Sequence, residues 1–181
     1  IAGRLVGQHQ RRRQRQRACD GDALLLAPRQ LAWQIIETVG QPDRALDIRR
    51  LEAVRKHLGD AAEIMVDANQ QWDRPTAQRM CRVFEDFNLV WIEEPLDAYD
   101  HEGHAALAAA FDTPIATGEM LTSAAEHADL IHHRAADVLM PDAPRVGGIT
   151  PFLKIAAQAE AAGLMLAPHF AMELHVHLAA A

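Results

Sequence analysis

Cysteine is scarce. The chain has two, Cys19 and Cys81. They share no metal-ligand spacing, and two thiols make no disulfide framework, so a reducing, cytoplasmic home is expected. Long apolar runs are missing too: none approaches the ~18 residues a membrane span needs. No basic start, apolar middle and small-residue cleavage site stands at the front, so no secretory signal is read. Residues 1–19 lack any acid, yet hold Arg4, Arg11, Arg12, Arg13, Arg15 and Arg17. The whole chain carries −7, so the remainder is near −13. A body that acidic argues against nucleic-acid binding.

The stretch "GQHQRRRQRQRACDG", residues 7–21, has no apolar periodicity and no β-branched residue. It reads as a solvated, disordered arm. The other reading, an arm that grips nucleic acid, lacks an aromatic residue to stack on bases. A third reading is that residues 1–38 never belonged to the fold.

What is present is an apolar content of 49 % in 181 residues, enough for a sizeable core in one domain or a piece of a larger one. From residue 39 the texture changes. Residues 42–58 place Ala45, Ile48, Leu51, Val54 and Leu58 at helical spacing, with Pro42 and Asp43 as start signals and Gly59 as the stop. The strand "EIMVD" follows, then a helix over 75–87 and the strand "LVWIE". Further helices are expected over 100–110, 122–133 and 148–162, and further strands at "PIATGE", "DVLMPD" and "LMLAPH". These strands are apolar without alternation. Such strands are buried on both faces, which predicts a parallel sheet covered by helices.

Each strand ends on a residue that can titrate or bind metal: Asp67, Glu93, Glu119, Asp142 and His169, separated by 26, 26, 23 and 27 residues. That is one β/α unit each time. In a β/α barrel such residues gather at the C-terminal rim, where active sites are built. Carboxylates brought together there repel, and a divalent cation resolves the repulsion. Three hard oxygen ligands, Asp67, Glu93 and Glu119, suit Mg²⁺ better than Zn²⁺. A carboxylate beside an imidazole fixes its tautomer, so Asp142 and His169 read as an acid/base pair. Alone, His169 would read as a core histidine; its place in the series gives it the role. The other nine histidines receive none. His132 and His133 fit the end of a helix dipole. His175 and His177, two apart, share no helix face.

The motifs "MVDANQ" (65–70), "WIEEP" (91–95), "TGE" (117–119), "MPDAPRVGGIT" (140–150) and "APHFAMELHVHLAAA" (167–181) resemble the enolase superfamily in its mandelate-racemase-like subgroup. The resemblance covers residues 39–181. It implies a partial (β/α) barrel of the modified TIM type, lacking the N-terminal capping domain and the last strand. It implies Mg²⁺ on Asp67, Glu93 and Glu119, His169 as acid/base oriented by Asp142, Asn69 in reach of substrate or metal, and Glu94 as an outer acid. A solvated rim charge is the alternative for Glu94. Gly147 and Gly148 would turn a loop into the next helix. The implied activity is a hydro-lyase of the galactarate/L-talarate type. It removes the α-proton of a hexarate and expels the β-hydroxyl, in a homo-oligomeric parent that binds neither nucleic acid nor membrane.

The family carries Lys-x-Lys ahead of a Val-Gly. Here Val39-Gly40 follows Ile36-Glu37-Thr38, and both lysines are missing. The glutamate of a final strand beyond Ala181 is missing too. Three alternatives follow. Residues 1–38 are an out-of-frame stretch joined to a remnant of such an enzyme; or the chain is a natural fragment that pairs with another; or it is an impaired remnant that lacks one base.

Overall fold

The computed structural model describes residues 34–37 and 44–180. By contacts they divide into two compact units, residues 34–117 with 133–136, and residues 118–132 with 137–180. In both, helices and parallel strands alternate as the sequence predicts.

In the first unit, strands β1 (Gln34–Glu37), β2 (Ile64–Asp67), β3 (Ile92–Glu93) and β4 (Ile115–Thr117) pair in chain order, all parallel. Helix α1 (Arg44–Leu58) joins β1 to β2, α2 (Arg74–Phe84) joins β2 to β3, and α3 (His101–Ala110) joins β3 to β4. Ile64, Met65, Val66, Ile92, Ile115 and Ala116 are all buried, as expected of strands covered on both faces. Strand β1 lies inside the stretch 1–38 that the sequence sets apart. Its text, "QIIE", carries two adjacent isoleucines that favour a strand. The arginine-rich residues before it lie outside the described ones.

Helix α2 shows why these residues form these elements. The Asp73 side chain accepts the Thr76 N–H at 2.8 Å, and Pro75 sits where a missing N–H costs nothing. Ala77, Met80, Cys81 and Phe84, at helical spacing, are all buried. A 3₁₀ turn, Glu85–Phe87, follows the helix, where the sequence predicts its continuation to residue 87. Burial pushes the Cys81 thiol up to about 12, with Glu85 adding to it, so this cysteine is not a nucleophile. In α1 the stripe is narrower than its spacing predicts. Leu51 is buried and Ile48 and Val54 pack on the core, whereas Ala45 and Leu58 are exposed. Arg55 fastens the end of α1: its guanidinium donates to the carbonyls of Ala62 at 2.6 Å and Phe87 at 2.7 Å.

In the second unit, α4 (Ala124–His132) precedes β5 (Val138–Leu139), α5 (Ile149–Ala162), β6 (Met165–Leu166) and α6 (Met172–Ala179). Strands β5 and β6 are parallel, with Leu139 opposite Leu166. Phe152, Ile155 and Ala159 form the buried face of α5. Gly147 and Gly148 precede α5 with φ of 91° and 111°, in keeping with the turning role that the resemblance implies for them. Helix α6 is not among the elements read from the sequence. Among the described residues no helix is long and apolar enough to cross a membrane.

Two buried histidines are expected to make the fold acid-sensitive. His104 and His127 are both fully buried, and burial holds both rings below the ordinary 6.5. The unfolded rings take a proton near 6.5 and the folded ones only at lower pH. Their stabilisation is therefore present above the unfolded value and is lost as pH falls below it. The urea midpoint is expected to drop between about pH 7.5 and about pH 5. A double variant, His104→Asn with His127→Asn, is expected to show a flatter pH dependence; an equally steep one would assign the effect to other groups.

Candidate active site

Two groups of candidate residues emerge, one in each unit. In the first, Asp67 ends β2 and lies opposite Glu93, which ends β3. The ladder continues past both: Ala68 N–H donates to Glu93 O at 2.9 Å, and Glu94 N–H to Ala116 O at 2.9 Å. Asn69 folds back on Asp67. Its backbone N–H reaches Oδ1 at 2.8 Å and its side-chain amide reaches Oδ2 at 2.8 Å. Glu93 is 5 % exposed, and the Trp91 indole donates to its Oε2 at 3.2 Å.

Glu94 is not a solvated rim charge. It is 2 % exposed, and the Gln70 side-chain amide donates to its Oε2 at 2.6 Å. Gln70 also accepts the Ala98 N–H at 3.1 Å and donates its own backbone N–H to Glu94 O at 2.8 Å. Asn69, Gln70 and Glu94 all have positive φ, at 47°, 61° and 36°. Left-handed backbone at three non-glycine residues is a cost of order 1 kcal/mol or more each, which the surrounding hydrogen bonds offset. Gln70 closes the motif "MVDANQ", and its place three residues past Asp67 is the sequence signal that points to it.

In the second unit, Glu119, Asp142 and His169 form a string. Asp142 Oδ2 faces His169 Nδ1 at 3.1 Å, and His169 Nε2 lies 3.2 Å from Glu119 Oε2. The other Asp142 oxygen accepts the Arg145 N–H at 3.0 Å, and the residue is 5 % exposed. His169 is set by the strand ladder, which runs beyond β6: Ala167 N–H donates to Leu139 O at 2.9 Å and His169 N–H to Pro141 O at 3.1 Å. Phe170, with φ of 58°, stacks its ring along His169 at a centroid distance of 5.8 Å. Gly118, with φ of 129°, sets up Glu119. A Cβ there would lie 3.3 Å from Met140 N, and no larger residue fits at so little cost.

The donor chemistry fits a hard divalent cation. Asp67 and Glu93 are like charges on adjacent strand ends, one of them buried, an arrangement that is costly without a counter-charge. All the acids offer oxygen, which suits Mg²⁺. The Asp142–His169 contact suits proton transfer, since the carboxylate holds Nδ1 and leaves Nε2 as the working atom.

The family described as enolase C-terminal domain-like matches residues 31–181. The L-talarate/galactarate dehydratase of Salmonella typhimurium is 70 % identical over 143 residues, 79 % of this chain and 36 % of that protein. The crystal structure of L-talarate dehydratase from Polaromonas sp. JS666, complexed with Mg and L-glucarate, is 86 % identical, with a TM-score of 0.79 over 81 % of this chain and 41 % of that one. The Salmonella typhimurium enzyme liganded with Mg and L-lyxarohydroxamate is 70 % identical, with a TM-score of 0.78 over 79 % of this chain and 37 % of that one. The chain thus spans about two fifths of the length of these relatives.

Proposed function

The chain belongs to the enolase C-terminal domain-like family, and from that premise we propose that it is the barrel portion of a Mg²⁺-dependent acid-sugar dehydratase of the galactarate/L-talarate type. The observation that carries this reading is the imidazole of His169, held at Nδ1 by Asp142 with Nε2 directed at Glu119. The relatives that bind Mg and a glucarate support it. A cytoplasmic location and a homo-oligomeric parent go with the same reading.

Asp67, Glu93 and Glu119 would hold the cation. When bound, it supplies positive charge where negative charge develops on the substrate carboxylate. The chain's own residues do the rest. His169 takes the α-proton of the hexarate at Nε2, with Asp142 steadying the imidazolium that forms. The imidazolium then gives that proton to the departing β-hydroxyl, which leaves as water. The product is a 2-keto-3-deoxy diacid. Asn69 fixes the Asp67 carboxylate and contributes an amide for the substrate. Glu94, clamped by Gln70, holds the turn after Glu93.

A second reading is favoured by β1. Glu37 lies opposite Asp67 in the register, at the strand end where the family carries Lys-x-Lys. Ile36-Glu37-Thr38 offers no ammonium there, so a base on the other substrate face is missing. On this reading the chain binds Mg²⁺ and substrate but is catalytically impaired.

Incubating the purified chain with galactarate, L-talarate and Mg²⁺ separates the two. Formation of the keto-deoxy diacid supports the dehydratase. Substrate binding without product supports the impaired remnant, and no binding of either substrate overturns both. Glu119→Gln is expected to weaken Mg²⁺ affinity by more than about tenfold, since even partners behind a ligand are worth that much. Titration calorimetry reads this directly, and unchanged affinity would remove Glu119 from the ligand set.

A further inference from the structure

We propose that His175 is a positioning residue for the Asp142–His169 pair, an assignment that rests on the dehydratase reading above. Its ring is 2 % exposed and stacks on Phe152 at a centroid distance of 5.4 Å. Its Nε2 accepts the backbone N–H of Ala143 at 3.0 Å, in a fully buried setting. Ala143 follows Asp142 directly, so this bond fixes the turn that aims the carboxylate.

The rest of that turn is tied by its own groups: the Asp142 carboxylate accepts the Arg145 N–H, and the other bonds run through the backbone. Pro141 O accepts from His169 N–H, Asp142 O from Val146 N–H at 3.0 Å, and Ala143 O from Gly148 N–H at 2.7 Å. The Ala143 N–H is met by a side chain from outside the turn. That side chain comes from α6, which starts three residues after His169. Through the 2.9 Å bond from His175 N–H to Ala171 O, the segment bearing His169 also carries the ring that holds the segment bearing Asp142. One cross-tie thereby sets the spacing of the acid/base pair. Displacement of a general base by an ångström costs much of its effect.

The tautomer sharpens the argument. An Nε2 that accepts carries no proton, so the ring proton sits on Nδ1. That buried Nδ1 meets no acceptor among the described residues. A buried donor left without a partner is a cost, tolerated where the same ring does something a phenyl could not. Here that is to accept from Ala143.

The test is nitrogen NMR on the full chain, and it needs neither Mg²⁺ nor turnover. In the unaltered protein, His175 is expected with Nε2 unprotonated and with a coupling across the bond to the Ala143 amide. His175→Phe keeps the stack on Phe152 and removes the acceptor. Ala143 amide exchange is then expected to quicken roughly tenfold, the factor that one hydrogen bond represents. His169 is expected to lose its single Nδ1–H tautomer. His175→Gln, whose side-chain oxygen can accept, restores both. In an active chain, kcat falls with His175→Phe while KM holds. A protonated Nε2 in the unaltered protein overturns the proposal, even should His175→Phe fail to fold. So does an unchanged His169 tautomer in a folded His175→Phe, since loss of stability alone marks a structural role. A chain with the expected spectra and no dehydration overturns the dehydratase reading and leaves this bond in place.

Discussion

His169→Asn is expected to slow acid-sugar dehydration by roughly 10²–10⁴-fold, the span a positioned general acid–base group supplies. The substitution keeps a polar group near Asp142 but removes Nε2, the atom that faces Glu119 at 3.2 Å. Asparagine cannot take a proton near neutral pH, so both halves of the proposed step, removal of the α-proton and protonation of the leaving hydroxyl, lose their agent. Mg²⁺ affinity should be preserved, because the proposed ligands are carboxylates. Steady-state assay of galactarate turnover beside calorimetric titration of Mg²⁺ separates the two effects. A variant that turns over at the unaltered rate would remove His169 from the chemistry. A variant that loses Mg²⁺ as well would make the ring part of the cation's support.

The second large effect concerns the core. Phe84→Ala is expected to cost about 3–5 kcal/mol, the range for an emptied aromatic site. Phe84 is 1 % exposed and ends α2, whose buried face is Ala77, Met80, Cys81 and Phe84 itself. It meets Trp72 edge-on at 5.9 Å and Phe87 at 6.3 Å, so one ring holds the approach to α2 and the 3₁₀ turn after it. Aromatic pairs of this geometry add to the burial term. Against a net stability of about 5–15 kcal/mol the loss is severe. Urea unfolding measures it, and a cost under about 1 kcal/mol would mean that the site collapses around the missing ring.

Much of the candidate site was legible because its pattern is local and repeated. Five strands, each ending on a group that titrates, are a one-dimensional signal, and the observed strands stop at or just before those positions. The strands are shorter than the apolar runs. "LVWIE" contributes Ile92–Glu93 to the ladder, although Val90 N–H still bonds Ile64 O at 2.9 Å. An apolar run reports burial, whereas a strand requires a partner at each residue, and the two do not end together. Strand β1 was hidden by composition: two isoleucines beside arginine- and glutamine-rich text carry little periodic weight.

The sequence by itself determined the alternation of strand and helix, the acids at the strand ends and the family they resemble. These depend on spacing along the chain, which hydrophobic period and backbone sterics impose directly. Only the tertiary structure decided that Glu94 is buried under Gln70, that Nε2 of His169 faces Glu119, and that His175 accepts from Ala143. The last joins residues 32 apart in sequence. Its two-residue spacing from His177 gave no helical face, and its role exists only once α6 docks beside the turn after β5. A hydrogen bond of that kind is set by where two buried groups meet, and no local pattern in the chain encodes the meeting.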